Sequence, residues 1–213
     1  MISDRDLLIA AGEMGVELTE VQVDQLGLYE RQIQEWSQRV NLVSKGDRSR
    51  LKSRHFLDSL SGLPYLPRTE HSLLDLGSGG GLPGIPMKIA RPGTRVTLLE
   101  SGRMKSLFLQ HVTKVLGLDE LRVWKARAED ISKEEDFVGY DVVVCRAVGA
   151  LPLLWKLSRP LLNPTGYMLA FKGPGAEKEW ELGGPENIVV KYHKASVPFI
   201  ERERLFVEVR TKS

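Results

Sequence analysis

The apolar positions of the first 70 residues recur at three- and four-residue steps, the spacing of one helix face. This stripe consists of Leu26, Tyr29, Ile33, Trp36 and Val40. Because Tyr29 and Trp36 belong to it, core packing explains them better than base stacking. Thr19 with Gln22 three residues later fits a capping box. A second helix is predicted from about Arg48 to Ser61, before Gly62 and the proline-containing segment 64–67. The chain therefore begins with a helical lobe.

After residue 70, short apolar runs alternate with helical stretches. The predicted strands are Ser72–Leu76, Arg95–Leu99, Leu121–Lys125, Tyr140–Val144, Tyr167–Phe171, Asn187–His193 and Arg204–Arg210. The predicted helices are Ile85–Ala90, Arg103–Leu116 and Leu151–Leu161. Alternation of this kind favours an α/β fold with a mostly parallel sheet, and the last two strands have no helix between them and should form an antiparallel hairpin. We expect a helical lobe at 1–70 and a nucleotide-binding domain at 71–213.

Composition narrows the class without identifying it. The chain has 213 residues, 42% hydrophobic and 27% charged, with a single cysteine, Cys145, so an intramolecular disulfide is excluded. The four histidines are scattered, and no metal site is expected. No apolar run approaches the roughly 18 residues of a membrane span, and the charged start does not fit a signal peptide, so we expect a cytoplasmic protein.

The net charge is only +2, but the charges are unevenly distributed. Residues 39–54 hold six basic residues and one acid, and residues 88–127 hold nine basic residues and three acids. Either zone is as consistent with a solvated face as with a partner surface.

A glycine-rich loop follows the first predicted strand and precedes a helix. It reads Asp75-Leu76-Gly77-Ser78-Gly79-Gly80-Gly81-Leu82-Pro83-Gly84. Glycines in this position let the backbone approach a ligand at the carboxyl end of an open α/β sheet. The loop therefore predicts a nucleotide site.

The loop alone does not select the nucleotide, because Gly79, Gly81 and Gly84 also satisfy the dinucleotide fingerprint. Asp75 lies two residues before the first glycine, where methyltransferases carry an acid near the amino acid end of S-adenosylmethionine. Glu100 ends the second strand and could accept both ribose hydroxyls of either nucleotide. Residues 128–130, after the third strand, lie where methyltransferases hold adenine. We therefore favour S-adenosylmethionine over NAD.

Several motifs together resemble one family. They are Asn41-Leu42, Arg54-His55-x-x-Asp58-Ser59, the glycine loop continued by Ile85-Pro86, Glu100-Ser101 with Lys105 and Phe108-Leu109, Arg146-Ala147, and Phe171-Lys172-Gly173. Their order is similar to that in the RsmG (GidB) family of bacterial 16S rRNA guanine-N7 methyltransferases. Gly80 departs from the Pro or Ala of many relatives, and the match is loose after Gly173. The resemblance implies a Rossmann-like class I methyltransferase that methylates N7 of guanine 527 (rRNA numbering) in the small ribosomal subunit.

The resemblance also implies specific ligand contacts. It gives Gly77, Leu82, Ala128, Glu129 and Arg146 as contacts to S-adenosylmethionine, to which the loop argument adds Asp75, Gly79, Gly81 and Glu100. Arg146 and Lys172 are the candidate catalytic residues, with Arg146 contacting the cofactor, guanine O6 or a phosphate, and Lys172 a phosphate. The alternatives are a salt bridge between Arg146 and Asp141 or another acid, and a plain surface lysine at 172.

Guanine N7 has a free lone pair and loses no proton, so in-line methyl transfer there needs no general base. His55 and Asp58 are therefore interpreted as packing or substrate-orienting residues, and Cys145 as a buried thiol. The basic segment 39–54 is the candidate rRNA-binding face, and reversing Arg48, Arg50 and Lys52 to Glu should weaken subunit binding. We expect a monomer. The alternatives are an NAD-dependent oxidoreductase, a non-catalytic ribosome assembly factor, and a methyltransferase acting on a small molecule or a protein.

Overall fold

The computed structural model describes residues 2–131, 133, 137–146, 149–180 and 187–212. Its helices are α1 (Asp4–Glu13), α2 (Glu20–Trp36), α3 (Leu57–Leu60), α4 (Gly84–Ala90), α5 (Arg103–Val115), α6 (Ala128–Ile131) and α7 (Leu151–Ser158). Its strands are β1 (Ser72–Leu76), β2 (Arg95–Leu99), β3 (Leu121–Trp124), β4 (Tyr140–Arg146), β5 (Leu162–Lys172), β6 (Ile188–Ala195) and β7 (Arg204–Thr211). After residue 70, the described helices and strands follow the predicted alternation, with the four-residue helix α6 as an element that was not predicted.

One sheet contains these seven strands in the order β3-β2-β1-β4-β5-β7-β6. The first five are parallel, whereas β7 is antiparallel to both β5 and β6. This confirms the mostly parallel sheet with a terminal hairpin. After β1 the strand order reverses, because β2 lies on one side of β1 and β4 on the other. Such a reversal opens a cleft at the carboxyl ends of the two central strands.

The strands bury both faces, as their continuous apolar sequences require. Leu73 and Val142 belong to one apolar layer, and their neighbours Leu74 and Val143 belong to the layer on the opposite face. Helices α6 and α7 cover the second layer. The first layer also contains Tyr29 and other side chains from α1, α2 and α3, so the helical lobe packs directly on the sheet.

The N-terminal region differs from the prediction in two places. Helix α1 was not predicted, although Ser3 and Asp6 form a capping box at its start. The predicted helix Arg48–Ser61 is wrong as a single α-helix. Instead, a 3₁₀ segment at Lys45–Arg50 leads through a π segment at Lys52–Phe56 into α3. Side chains compete for the backbone here, since Arg50 donates to the Gly46 carbonyl and Ser53 Oγ to the Arg50 carbonyl.

Candidate active site

The glycine loop turns sharply at the carboxyl end of β1. Gly77, Gly79 and Gly81 have φ values of 73°, 57° and 89°, which side chains on L-residues disfavour. The amides of Gly77 and Ser78 both donate to the Leu99 carbonyl at 2.9 Å, which ties the loop to the end of β2. A Cβ on Gly81 would lie 2.4 Å from Ile85 Cδ1, so this position also lacks space for a side chain.

Asp75, in β1, accepts a hydrogen bond from the end of the glycine loop. The residue is 1% exposed, and its Oδ2 accepts the Gly84 amide at 2.9 Å, while Oδ1 has no hydrogen-bond partner among the described residues. Burial raises the pKa of Asp75 to about 7, although the Gly84 and Ser78 contacts and Arg146 oppose the shift. A buried carboxylate with one free oxygen is available to a cationic ligand group.

Glu100 joins the glycine loop to the start of α5. Its Oε2 accepts the Gly79 amide at 2.9 Å and its Oε1 accepts the Gly102 amide at 2.7 Å. The carboxylate is 8% exposed and held in one orientation by these two contacts. Each oxygen has a second lone pair, so both can still accept a ribose hydroxyl.

A cavity of about 240 Å³ lies at the ends of β1 and β2. Four of the predicted cofactor contacts line it together, namely Gly77, Glu100, Ala128 and Glu129. Gly79 is joined to this group through Glu100. The remaining predicted cofactor contacts do not line this cavity. They are Asp75, Gly81, Leu82 and Arg146.

A second cavity, of about 500 Å³, lies at the ends of β4 and β5. Arg146 and Lys172, the two candidate catalytic residues, line it together with Arg204 at the start of β7. Phe171 and the backbone of 173–175 complete much of the wall, and Glu179 provides a carboxylate. Because this cavity lies at the ends of the strands that carry both candidate catalytic residues, it is the candidate pocket for the methyl acceptor, called the acceptor pocket below.

Arg146 is held by the helical lobe. Its Nε lies 3.4 Å from Asp58 Oδ2, and its Nη1 lies 3.3 Å from Ser59 Oγ. Asp141, the alternative partner named from the sequence, instead accepts from the Ser72 amide and from Asn163. The salt-bridge alternative is therefore observed, with Asp58 as the acid.

His55 also contacts Arg146, through its Nδ1 and the Nη2 group of the arginine. A guanidinium can only donate, so Nδ1 accepts and neutral His55 carries its proton on Nε2, which lies 3.6 Å from Asp47 Oδ2. Burial, assisted by Arg146, lowers the pKa of His55 to about 4. His55 is thus neutral at physiological pH, and its basic nitrogen is occupied.

Lys172 is not a plain surface lysine. Its Nζ lies 2.7 Å from Glu179 Oε1 and donates to the Gly149 carbonyl at 2.9 Å. Its backbone carbonyl accepts from Arg204, which sequence reasoning missed as a site residue. Arg204 stands in no recognisable motif, and only the pairing of β5 with β7 brings it to this pocket.

Cys145 is fully buried, as expected for a structural thiol, and burial raises the pKa of its thiol well above the ordinary range. A further cavity, of about 590 Å³, lies at the opposite end of the sheet among residues such as His71, Thr165 and Arg210. It contains none of the predicted site residues, so cavity size alone does not identify the active site.

The comparisons with known proteins agree with this geometry. The sequence model of the family described as rRNA small subunit methyltransferase G, GidB, matches residues 22–207. The chain belongs to this family. The relative from Leptothrix cholodnii, named ribosomal RNA small subunit methyltransferase G, is 35% identical over 100% of this chain and 98% of its own. The relative of the same name from Oceanobacillus iheyensis is 33% identical over 95% and 88%, respectively.

Solved structures resemble the chain in fold. The O-methyltransferase TomG from Streptomyces achromogenes, solved in complex with SAM, has a TM-score of 0.58 at 14% identity and covers 100% of both chains. The ribosomal protein L11 methylase from Lactobacillus delbrueckii subsp. bulgaricus has a TM-score of 0.52 at 13% identity, covering 73% of this chain and 77% of its own. The Rossmann-like methyltransferase fold is confirmed.

Membership makes the chain an rRNA methyltransferase, and S-adenosylmethionine is the cofactor of such an enzyme with this fold. The residues fit that ligand, since the Glu100 carboxylate faces the smaller cavity and the free oxygen of Asp75 lies beneath the glycine loop. In the part of the chain that the structure describes, no helix is long and apolar enough to cross a membrane. The same residues contain no group of three or more side chains suited to a metal ion.

Proposed function

We propose that this chain methylates N7 of a guanine in the 16S rRNA of the small ribosomal subunit, guanine 527 in rRNA numbering. The observation that carries the proposal is the pairing of two cavities at the carboxyl edge of the sheet. One has the carboxylate and backbone groups suited to a nucleoside, and the other has three cations, Arg146, Lys172 and Arg204. An electron-rich purine edge with its flanking phosphates complements such a cationic pocket.

The contacts of two possible general bases, His55 and Glu179, support N7 as the acceptor atom. His55 uses Nδ1 to accept from Arg146, and Glu179 is paired with Lys172. Neither is free to remove a proton, which an exocyclic amine would require and N7 does not. Positioning and exclusion of water are then the contributions required of the protein.

When bound, S-adenosylmethionine supplies an electrophilic methyl group. The proposed contacts to it are Glu100 to the ribose hydroxyls, Asp75 at the amino acid end, and the segment 128–129 along the adenine. Gly77, Gly79, Gly81 and Leu82 form the loop against which it lies. Arg146 remains a proposed contact to the cofactor, to guanine O6 or to a phosphate. Lys172 remains a proposed phosphate contact, and Arg204 is added from the geometry of the pocket.

The helical lobe at 1–70 is the proposed rRNA-binding part. Arg39, Lys45, Arg50 and Arg54 are exposed in the structure, and the last two lie 3.7 and 3.0 Å from Asp47. From the surface, these four side chains can reach phosphates. Arg48 and Lys52 are not equivalent to them. Arg48 donates to the Ser37 carbonyl, and Lys52 pairs with Asp4 at 2.8 Å and Glu30 at 3.1 Å. The protein is expected to act as a monomer in the cytoplasm, where ribosomal subunits are found.

The test is methyl transfer from labelled S-adenosylmethionine to small subunits isolated from cells that lack this protein. Label in 16S rRNA is the expected result. Label in a ribosomal protein instead would contradict the proposal, and subunit binding without any transfer would indicate an assembly factor. Titration with S-adenosylhomocysteine and with NADH separates the methyltransferase from the oxidoreductase, because only the former ligand should bind.

Glu100→Ala should weaken S-adenosylhomocysteine binding by about tenfold or more, because it removes both the ribose acceptor and the contacts that orient the Gly79 and Gly102 amides. Isothermal titration measures the affinity. Glu17→Ala is the matched control, since Glu17 is exposed in the helical lobe and lines neither cavity. Equal affinities for the two variants would exclude Glu100 as a cofactor contact.

A further inference from the structure

A carboxylate from the helical lobe lies between two arginines of the candidate acceptor pocket. Asp58, on α3, is 0% exposed. Its Oδ1 lies 2.6 Å from both Nε and Nη2 of Arg204, and its Oδ2 lies 3.4 Å from Nε of Arg146. Oδ2 makes this ion-pair contact but accepts no hydrogen bond among the described residues. Both oxygens of this buried acid are thus directed at pocket arginines.

The two arginines come from different parts of the sheet. Arg146 ends β4 and Arg204 begins β7, and β5 lies between these strands with Lys172 at its end. Three cations therefore line one pocket. Burial lowers the pKa of Arg146, and the charge of Arg204 adds to this shift while Asp58 opposes it. The negative charge of Asp58, which contacts both arginines, offsets the repulsion between them. Among the described residues, no other acid forms an ion pair with Arg146.

Counting donors shows which arginine has N–H groups to spare. A guanidinium has five N–H groups. Arg204 uses Nε and one Nη2 hydrogen on Asp58 and one Nη1 hydrogen on the Lys172 carbonyl, at 3.1 Å, which leaves two. Arg146 uses both Nη1 hydrogens on the His55 carbonyl and Ser59 Oγ and one Nη2 hydrogen on His55 Nδ1, which leaves one Nη2 hydrogen. Arg204, with 23% of its side chain exposed, is the better presented of the two.

We propose that Asp58 is a positioning residue that orients Arg204, and with it Arg146, toward the acceptor guanine nucleotide. The contact through Nε and Nη2 fixes the plane of the Arg204 guanidinium and leaves its remaining N–H groups free for a guanine O6 or a phosphate. The helical lobe thereby contributes directly to the geometry of the acceptor pocket. This inference rests on the proposed function, because it assigns the pocket to the methyl acceptor.

Asp58→Asn tests the inference because it keeps the shape of the side chain and removes its charge. The amide can accept from one arginine but presents its N–H₂ group to the other. We expect kcat/KM for small subunits to fall about 10- to 100-fold, mainly through kcat, because the acceptor is misaligned. The affinity for S-adenosylhomocysteine should stay within about threefold of wild type, since the smaller cavity does not include Asp58.

Asp141→Asn is the matched control. Asp141 lies at the other end of β4 and accepts from Ser72 and Asn163, so its loss removes a hydrogen-bonded carboxylate far from the pocket. This variant should change the thermal unfolding midpoint without lowering kcat/KM. A comparable loss of kcat/KM in Asp141→Asn and Asp58→Asn would mean that general destabilisation explains both, and would overturn the inference.

A double-mutant cycle separates positioning from a structural role. If Asp58 acts mainly through Arg204, then the loss of kcat/KM in Asp58→Asn combined with Arg204→Gln should be smaller than the product of the two single losses. Multiplicative losses in the double variant would overturn the inference. If Asp58→Asn does not fold, Arg204→Lys tests the same step, because a lysine keeps the charge but cannot match the two-point contact. Wild-type kcat/KM in Arg204→Lys would then refute it.

The controls also distinguish failure of the inference from failure of the proposed function. If wild-type protein binds S-adenosylhomocysteine but transfers no methyl group to small subunits, the proposed function fails, and with it the assignment of the pocket. If wild-type protein methylates 16S rRNA and Asp58→Asn does so equally well, only the role of Asp58 is refuted.

Discussion

A single carboxylate connects the glycine loop to the strand before it. Asp75 accepts the Gly84 amide, and a Cβ on Gly84 would lie 2.7 Å from Asp75 Oδ2, so the contact requires a glycine. The sequence predicted an acid near the cofactor at this position, on the basis of its spacing from Gly77. It did not predict burial, because burial depends on how α4 packs against β1 and β2. The raised pKa of Asp75 follows from that packing.

The titration of Asp75 has a consequence for stability. Its pKa is about 7 in the folded chain and ~3.9 in an unfolded one, so folding favours the protonated form. Between about pH 4 and pH 7, Asp75 is ionised in the unfolded chain but still protonated in the folded one. Rising pH therefore stabilises the unfolded chain, and the free energy of unfolding falls. Asp75→Asn should lack this fall. Urea unfolding of both proteins without ligand, at several pH values between about 4 and 7, measures the free energy of unfolding. His55 titrates in both proteins, so its contribution cancels in the difference between them. Parallel curves would contradict the assigned pKa.

Two loop glycines differ in the space around them. Gly81 and Gly79 both have positive φ, but a Cβ on Gly81 would meet Ile85 at 2.4 Å, whereas the nearest atom to one on Gly79 is 3.8 Å away. Gly81→Ala should therefore lower the free energy of unfolding by about 1–3 kcal/mol more than Gly79→Ala. Denaturant unfolding of the two variants gives the difference. Equal effects would mean that backbone strain alone determines the cost.

At the scale of elements, the pattern of apolar residues located the described strands and helices α4, α5 and α7. It missed α6, whose four residues are too few to show a helical period. It did not distinguish α, 3₁₀ and π geometry between Lys45 and Phe56, where side chains satisfy part of the backbone. This matters for the basic segment. Counting charges treats Arg48, Arg50 and Lys52 alike. In the structure Arg48 and Lys52 are half-buried by their contacts within the lobe, whereas Arg50 is exposed and contacts the nearby Gly46 and Asp47. The triple reversal suggested by the sequence would therefore disturb folding as well as RNA binding.

A better-chosen set of cations tests the RNA-binding face. Replacing Arg39, Lys45, Arg50 and Arg54 with Gln should weaken binding to small subunits and reduce its salt dependence, because fewer phosphates are neutralised. Affinity for S-adenosylhomocysteine should not change. Filter binding at several salt concentrations measures the effect. Lys52→Gln is the control, expected to lower stability more than RNA affinity, and unchanged subunit binding by the fourfold variant would remove the lobe from the RNA interface.

At the scale of the whole molecule, the sequence identified the cofactor loop because its signal is local. The acceptor pocket depends on contacts that no local pattern encodes. Asp58 and Arg204 are 146 residues apart along the chain, and only the finished sheet and the docked lobe bring them together. Arg146, Lys172 and Asp58 all stood in recognised motifs, but Glu179 did not. Pattern reasoning thus found both residues of one ion pair without their contact, and one residue of the other.

The shared apolar layer predicts how the molecule unfolds. Because Tyr29 and Phe56 of the lobe lie in the same layer as Leu73 and Val142 of the sheet, the lobe and the sheet should unfold together. Variants that retain only Trp36 or only Trp155 report on the two parts, and their fluorescence should give one common denaturant midpoint. A lower midpoint for Trp36 would show that residues 1–70 form a separate folding unit, as the domain division drawn from the sequence implies.

The central claim is that the paired cavities deliver a methyl group to guanine N7. It is tested most directly by mapping the product in 16S rRNA. Small subunits from cells lacking the protein are methylated in vitro, and the rRNA is then cleaved chemically at 7-methylguanosine. The account predicts one new cleavage, at guanine 527, which disappears when S-adenosylmethionine is omitted. Methylated rRNA that resists this cleavage would contradict the N7 assignment, and cleavage at a different guanine would contradict the assigned target.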